Sequence, residues 1–249
     1  MINFFRKIRK QLADQNKPLR YFRYAFGEIV LVMIGILLAL QVNNWNEANK
    51  DQIELRNILQ SIVEDIEENQ NFLEQAREMC VQDNKRIEAF LNHDDYTGFN
   101  RDSLEKGLET WVVDVPWRWT GYNSLKESGI TEYGKYAEVV VWLSYYYDNS
   151  ITWHEEGEKG MQETVRKSDE FWRFRQDSYE FNYVNGLRTL QNDENAIVIL
   201  NRLLKSPIAR NILKIHYRNQ EVTISEYDKL EKTHNELLEA LEDALKENG

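Results

Sequence analysis

The chain holds a single cysteine, Cys80, in 249 residues. No disulfide can form within it, and no zinc site built from several thiolates is available. Proline is nearly as scarce: Pro18, Pro116 and Pro207 are the only three, beside eleven glycines. Long stretches therefore run without a breaker, which argues against a turn-rich β architecture and for an all-α fold. Basic residues are the minority among the charges, 31 Lys and Arg against 42 Asp and Glu, for a net charge of −11. A nucleic-acid partner needs concentrated Lys and Arg to meet phosphate, so none is expected. Also lacking are a G-x-S-x-G elbow, a P-loop and a Rossmann glycine pattern. The sequence supplies no catalytic constellation and no cofactor signature; the expectation is a protein that is not an enzyme.

One long apolar run is present. From Ile29 to Leu40 twelve consecutive residues are apolar or Gly, and with its flanks the stretch from Tyr24 to Val42 spans nineteen. A helix of that length reaches about 28 Å, close to the hydrocarbon thickness of a bilayer. Residues 1–23 carry seven basic residues against Asp14, a balance of +6, which leaves −17 for the rest of a chain whose total is −11. Basic residues beside a span stay on the cytoplasmic side, held by the anionic leaflet. That predicts an uncleaved, single-pass anchor with its N-terminus in the cytoplasm and its C-terminal portion outside. No A-x-A pattern follows the run to mark a cleaved signal. Arg20 and Arg23 on the inner side and Trp45 on the outer one are the expected interface anchors.

Glu28 is the ionisable residue of this span. It lies about one turn from the cytoplasmic edge, where Arg20 and Arg23 could snorkel toward it. The sharper reading makes it a ring of carboxylates around an oligomer axis, as in cation pores. Gly27, Leu31, Gly35 and Ala39 recur at four-residue steps, and Gly35-x-x-x-Ala39 is a small-xxx-small contact suited to helix pairing.

Five regions are expected: a basic amphipathic arm (1–23) with Phe4, Phe5, Ile8 and Leu12 on one face, the transmembrane helix (24–45), a long stalk helix (46–93), an aromatic-rich helical head (94–205) and C-terminal helices (206–249) returning along the stalk. The stalk shows a heptad seam of Leu55, Leu59, Ile62, Ile66, Asn69, Leu73, Ala76, Cys80, Asp83, Ile87 and Phe90. That seam serves either a homo-oligomeric coiled coil or later helices of the same chain. Ile58, Val63 and Phe72 widen it and favour the latter. Tyr227, Leu230, His234, Leu237, Leu241 and Ala244 form a matching stripe. Expected helix starts are Asp102 or Ser103, Asn192 or Asp193, Ser206-Pro207, and a capping box Ser225-x-x-Asp228. Gly129 is expected to close a helix that begins near Tyr122.

The segments Gly27-Glu28-Ile29, Gly35-Ile36-Leu37-Leu38-Ala39-Leu40-Gln41 and Asn43-Asn44-Trp45-Asn46-Glu47 resemble the anchor of a family of uncharacterised single-span bacterial membrane proteins, a domain of unknown function. Tyr122-Asn123-Ser124-Leu125-Lys126-Glu127-Ser128-Gly129 is similar to a second block of that family. The resemblance implies an inner-membrane protein of gram-negative bacteria with a helical periplasmic domain. It brings no catalytic residues with it.

Residues 99–183 hold 18 of the 30 Phe, Trp and Tyr. Aromatics filling a core without disulfides explain most of them. The alternative is a docking patch anchored by Trp117, Arg118, Trp119 and Trp153. His154 with Glu158 one turn on, beside Glu155 and Glu156, offers two metal ligands where a site needs three or four, so no metal is expected. His216 and His234 fall on helical stripes as packing residues. The expected partners are anionic inner-leaflet lipid and either a second copy or another envelope protein. Three functional readings stand: a membrane-anchored interaction or scaffold subunit, a homo-oligomeric channel with Glu28 facing the pore, and a ligand-sensing helical ectodomain.

Overall fold

Between Gly35 and Leu91 the chain has neither proline nor glycine, and Pro18 suits a first helical position because its missing N–H has no partner to lose there. The result, in a computed structural model that describes residues 18–93, 95–182 and 187–246, is one unbroken helix, α1, over Pro18–Leu91. The expected transmembrane helix (24–45) and stalk helix (46–93) thus run on as one helix. The expected arm helix at 1–17 lies outside the described residues, as do the side chains of Arg20 and Arg23.

Among the described residues six more α-helices follow: α2 (Arg101–Leu108), α3 (Thr120–Glu127), α4 (Ala137–Tyr145), α5 (Thr152–Glu170), α6 (Asp193–Leu204) and α7 (Pro207–Lys246). A π-helical turn at Tyr146–Ile151 joins α4 to α5, and a second at Phe171–Arg175 ends α5. No strand occurs among the described residues. The chain divides into two units, residues 1–55 and 56–249.

In the first unit the stretch from Ile29 to Leu40 lies open, with Leu31 73% exposed. This helix is long and apolar enough to cross a membrane, and no part of its apolar window is covered by protein. A water-exposed apolar surface of that extent is foreign to soluble monomers.

In the second unit the seam points inward. Leu59, Ile62, Ile66, Asn69, Leu73, Ala76, Cys80, Asp83 and Ile87 are all buried. They pack within the chain, so the intrachain reading of the heptads holds here. The polar seam positions have specific partners. Asn69 donates from Nδ2 to the Arg118 carbonyl (3.2 Å) and accepts from the Arg118 N–H (2.6 Å), clamping a loop that has no regular structure of its own. Asp83 receives Arg86 Nε (2.6 Å), His216 Nε2 (3.1 Å) and Gln220 Nε2 (2.9 Å). Burial raises the Asp83 carboxyl's pKa, but these hydrogen bonds and the Arg86 charge outweigh it and hold it at about 2.

The C-terminal helix runs antiparallel to this part of α1. Arg77 pairs with Asp228 (2.7 Å), Asn84 with Glu221 (3.0 Å), and Arg210 donates to the Leu91 carbonyl (2.6 Å). Asn69 and Asp65 on α1 hold the segment after α2 through Arg118 and Gly121. Two of the expected helix starts differ in detail. Asn100, not Asp102 or Ser103, caps α2. Asn192 caps α6 and Ser206 caps α7, as expected. Ser225 lies inside α7, and Asp228 is committed to Arg77 rather than to a capping box. Gly129 follows α3 with φ of +72°, the left-handed geometry that closes it.

A second cluster, built on Tyr96, Leu104, Leu108, Trp172, Ala196, Leu200 and Leu204, packs α2 against α6. Arg101 sits at its edge with every arm used. It donates to Glu105 (3.0 Å), the Tyr179 hydroxyl (2.8 Å), Thr189 (3.1 Å) and the Glu180 carbonyl (3.0 Å). A buried guanidinium is tolerated only with such partners.

Candidate functional site

The π-helical turn at Tyr146–Ile151 adds a residue to the helical repeat and so turns two consecutive tyrosines inward. Tyr146 and Tyr147 are both fully buried. Tyr147 stacks on Tyr122 with ring centres 4.5 Å apart, and the Tyr146 hydroxyl meets His234 Nε2 at 2.5 Å. About two turns further on, His154 and Glu158 form a second buried pair, Nε2 to Oε1 at 3.0 Å. The Trp117 indole packs edge-on against both histidines, with centroids 5.5 Å from His154 and 6.4 Å from His234.

Burial decides the protonation of this layer. His234 is held down at about 4 because burial penalises the charged imidazole. Burial likewise raises the phenols of Tyr146, Tyr147 and Tyr227. The Cys80 thiol is pushed up to about 11 by burial first and by the nearby Asp83 and Glu158 second. Such a thiol is a packing group with little thiolate.

Outward of this layer α5 and α7 run antiparallel. The Thr223 hydroxyl reaches Met161 Sδ (3.0 Å), and His154 packs on Tyr227 (5.1 Å). Gly157 and Ser150 on one side and Thr223 and Thr233 on the other are too small to fill the space between the two helices. The outcome is a groove of about 820 Å³. Its α7 wall, from Arg218 to Thr233, is about 22 Å long. The buried His154–Glu158 pair forms its floor. Lys229 and Glu226 on the wall pair with each other (2.6 Å). At the rim Trp153 is 78% and Tyr145 65% exposed, and Val222 stands open opposite.

The four residues of the expected docking patch are thus distributed. Trp153 lies at the groove rim. Trp117 is half-buried behind the floor, against His154. Trp119 packs on Tyr147 at 5.2 Å, and Arg118 pairs with Glu68 (2.7 Å) while its backbone is clamped by Asn69. Gly27, Leu31, Gly35 and Ala39 are exposed on α1, with no atom near either glycine's open side; Glu28 is half-buried and engaged by a neighbouring group. Trp45 is exposed. Among the described residues no three His, Cys, Asp or Glu side chains come together in a way that could hold a metal ion. Sequence reasoning did not find the groove, because its signal is a set of small residues on two helices whose pairing is set by tertiary contacts.

No curated protein and no solved structure matches the chain. Residues 28–96, which run from Glu28 through the inward-facing seam of α1 to Tyr96, match a family described only as a family of unknown function (DUF6090).

Proposed function

We propose that the protein is a non-enzymatic, membrane-anchored interaction module. The helix over residues 24–45 holds it in the bacterial inner membrane with its N-terminus in the cytoplasm, and residues 56–249 work in the periplasm. The working surface is the groove between α5 and α7, and the partner is another envelope protein.

The observation that carries this reading is the groove itself, rimmed by two aromatics that are mostly exposed. Leaving Trp153 and Tyr145 in water forgoes burial worth about 1.5–3 kcal/mol for a large side chain. Aromatic side chains at the edge of a long concave surface are the usual anchors of protein docking. A trough about 22 Å long suits an elongated segment, a helix of some four turns or an extended strand, better than a compact metabolite.

The test is site-specific photo-crosslinking from the full-length protein in its native membrane. A crosslinker at Val222 in the groove should trap one defined partner, and one at the even more open Val198 on α6 should not. Trp153→Ala should abolish the Val222 product. Equal products from both positions, or none from Val222, would remove the groove as the working surface.

A further inference from the structure

A second concavity, independent of the groove, opens where the end of α5 meets the start of α7. It holds about 310 Å³ and is walled by Val165, Phe171, Ile208, Ile212 and Ile215. Ile208 and Ile215 are about half exposed and mark its mouth. Two hydroxyl-bearing residues, Thr110 and Ser168, belong to this otherwise apolar lining; their oxygens are buried in its wall and neither has a hydrogen-bond partner. Ser168 is only 6% exposed. A serine or threonine inside a helix ordinarily bonds back to the carbonyl four residues earlier. Thr164, Thr223 and Thr233 do so here; Ser168 does not. A buried hydroxyl left unpaired is costly.

We propose that this slot binds a single hydrocarbon chain bearing a neutral hydrogen-bonding group, an alcohol or a carbonyl, at the end that enters. The isoleucine walls take the chain, and the two hydroxyls take the polar end after one side-chain rotation. Size agrees: a methylene occupies roughly the 30 Å³ of a water molecule in the liquid, so the slot accommodates about ten carbons. Charge excludes an ionised end. The one ionisable group deep in the lining, His216, is already hydrogen-bonded to Asp83, and a buried carboxylate there would have no counter-ion. Lys167, the cation of the lining, is exposed beside Glu163.

The test uses the full chain in lipid nanodiscs and a diazirine-bearing ten-carbon alcohol, with labelled peptides mapped by mass spectrometry. Labelling at 165–171 and 208–216 is expected, and excess 1-decanol should suppress it more than decane or decanoate does. Ile215→Trp, which fills the mouth, should abolish that labelling while labelling of residues 29–40 by probe dissolved in the bilayer persists. Ser168→Ala should weaken competition by decanol about fivefold and leave that by decane unchanged. A thermal melt of each variant confirms that it remains folded. Label confined to residues 29–40, equal competition by the three compounds, stronger competition by decanoate, or no effect of Ser168→Ala would each overturn the proposal.

Discussion

Gly121→Ala is expected to lower the stability of the 56–249 unit by about 3–5 kcal/mol. A Cβ on Gly121 would stand 2.7 Å from the Ile62 backbone nitrogen and 3.0 Å from its Cα. Those atoms belong to the middle of α1 and cannot step aside as a flexible side chain could. The first turn of α3 must therefore retreat. In doing so it breaks the 2.6 Å hydrogen bond from the Gly121 N–H to Asp65 Oδ2 and strands a carboxylate that is 7% exposed. That bond matters to Asp65. Burial raises the carboxyl's pKa, and the Gly121 amide is the chief influence opposing it. At roughly 2–4 °C per kcal/mol for a unit of this size, the melting temperature should fall by about 6–20 °C. Gly160→Ala is the control. It lies inside α5 with nothing within 4 Å of the added atom, and it should stabilise by about 0.5–1 kcal/mol. Thermal melts of the detergent-solubilised full chain, followed by circular dichroism, give both numbers. Similar shifts for the two substitutions would contradict the close approach of α3 to α1.

The second large effect is a loss of stability in mild acid through His234. Its folded pKa of about 4 lies below the ordinary imidazole value of 6.5, so the unfolded chain binds the proton more readily. The contribution is thus fully present above pH 6.5 and is lost as pH falls toward 4. A shift of that size is worth about 3 kcal/mol. His234→Gln keeps a neutral hydrogen-bonding group near the Tyr146 hydroxyl and should flatten melting temperature against pH between 6.5 and 4. A second decline, from Asp83, should remain. Its carboxyl is depressed from 3.8 to about 2, so its contribution is present above 3.8 and lost only as pH falls below that. If the His234→Gln chain kept the wild-type slope between pH 6.5 and 4, His234 would not be the group responsible.

What could be read from the chain depended on how local its cause was. The inward seam from Leu59 to Ile87 and the stripe from Tyr227 to Leu241 were legible because 3.6-residue periodicity is a property of one helix at a time. Asn69 and Asp83 were visible as polar breaks in that seam. Their partners were not, since Arg118 and His216 are brought to them by tertiary contacts. Caps were legible where one side chain had no rival, as at Ser206-Pro207. At α2 three neighbouring residues could all cap, and Asn100 prevailed over Asp102 and Ser103. Ser225-x-x-Asp228 failed as a start because α7 passes through it unbroken, with Asp228 drawn to Arg77. The π-helical turn at Tyr146–Ile151 left no trace in the sequence beyond an unusual run of tyrosines. It is that turn which sets Tyr146 and Tyr147 inward and Tyr145 and Trp153 outward, and so shapes the candidate site.

The functional reading depends on the 56–249 unit lying across the membrane from the N-terminus, and one labelling experiment addresses that. Cys80 is buried and its thiol is held protonated, so the native chain should be silent toward a membrane-impermeant maleimide. Asp243→Cys places a reactive thiol on the open face near the end of α7. In intact spheroplasts this cysteine should label fully before lysis; labelling that appears only after the membrane is broken would contradict the account.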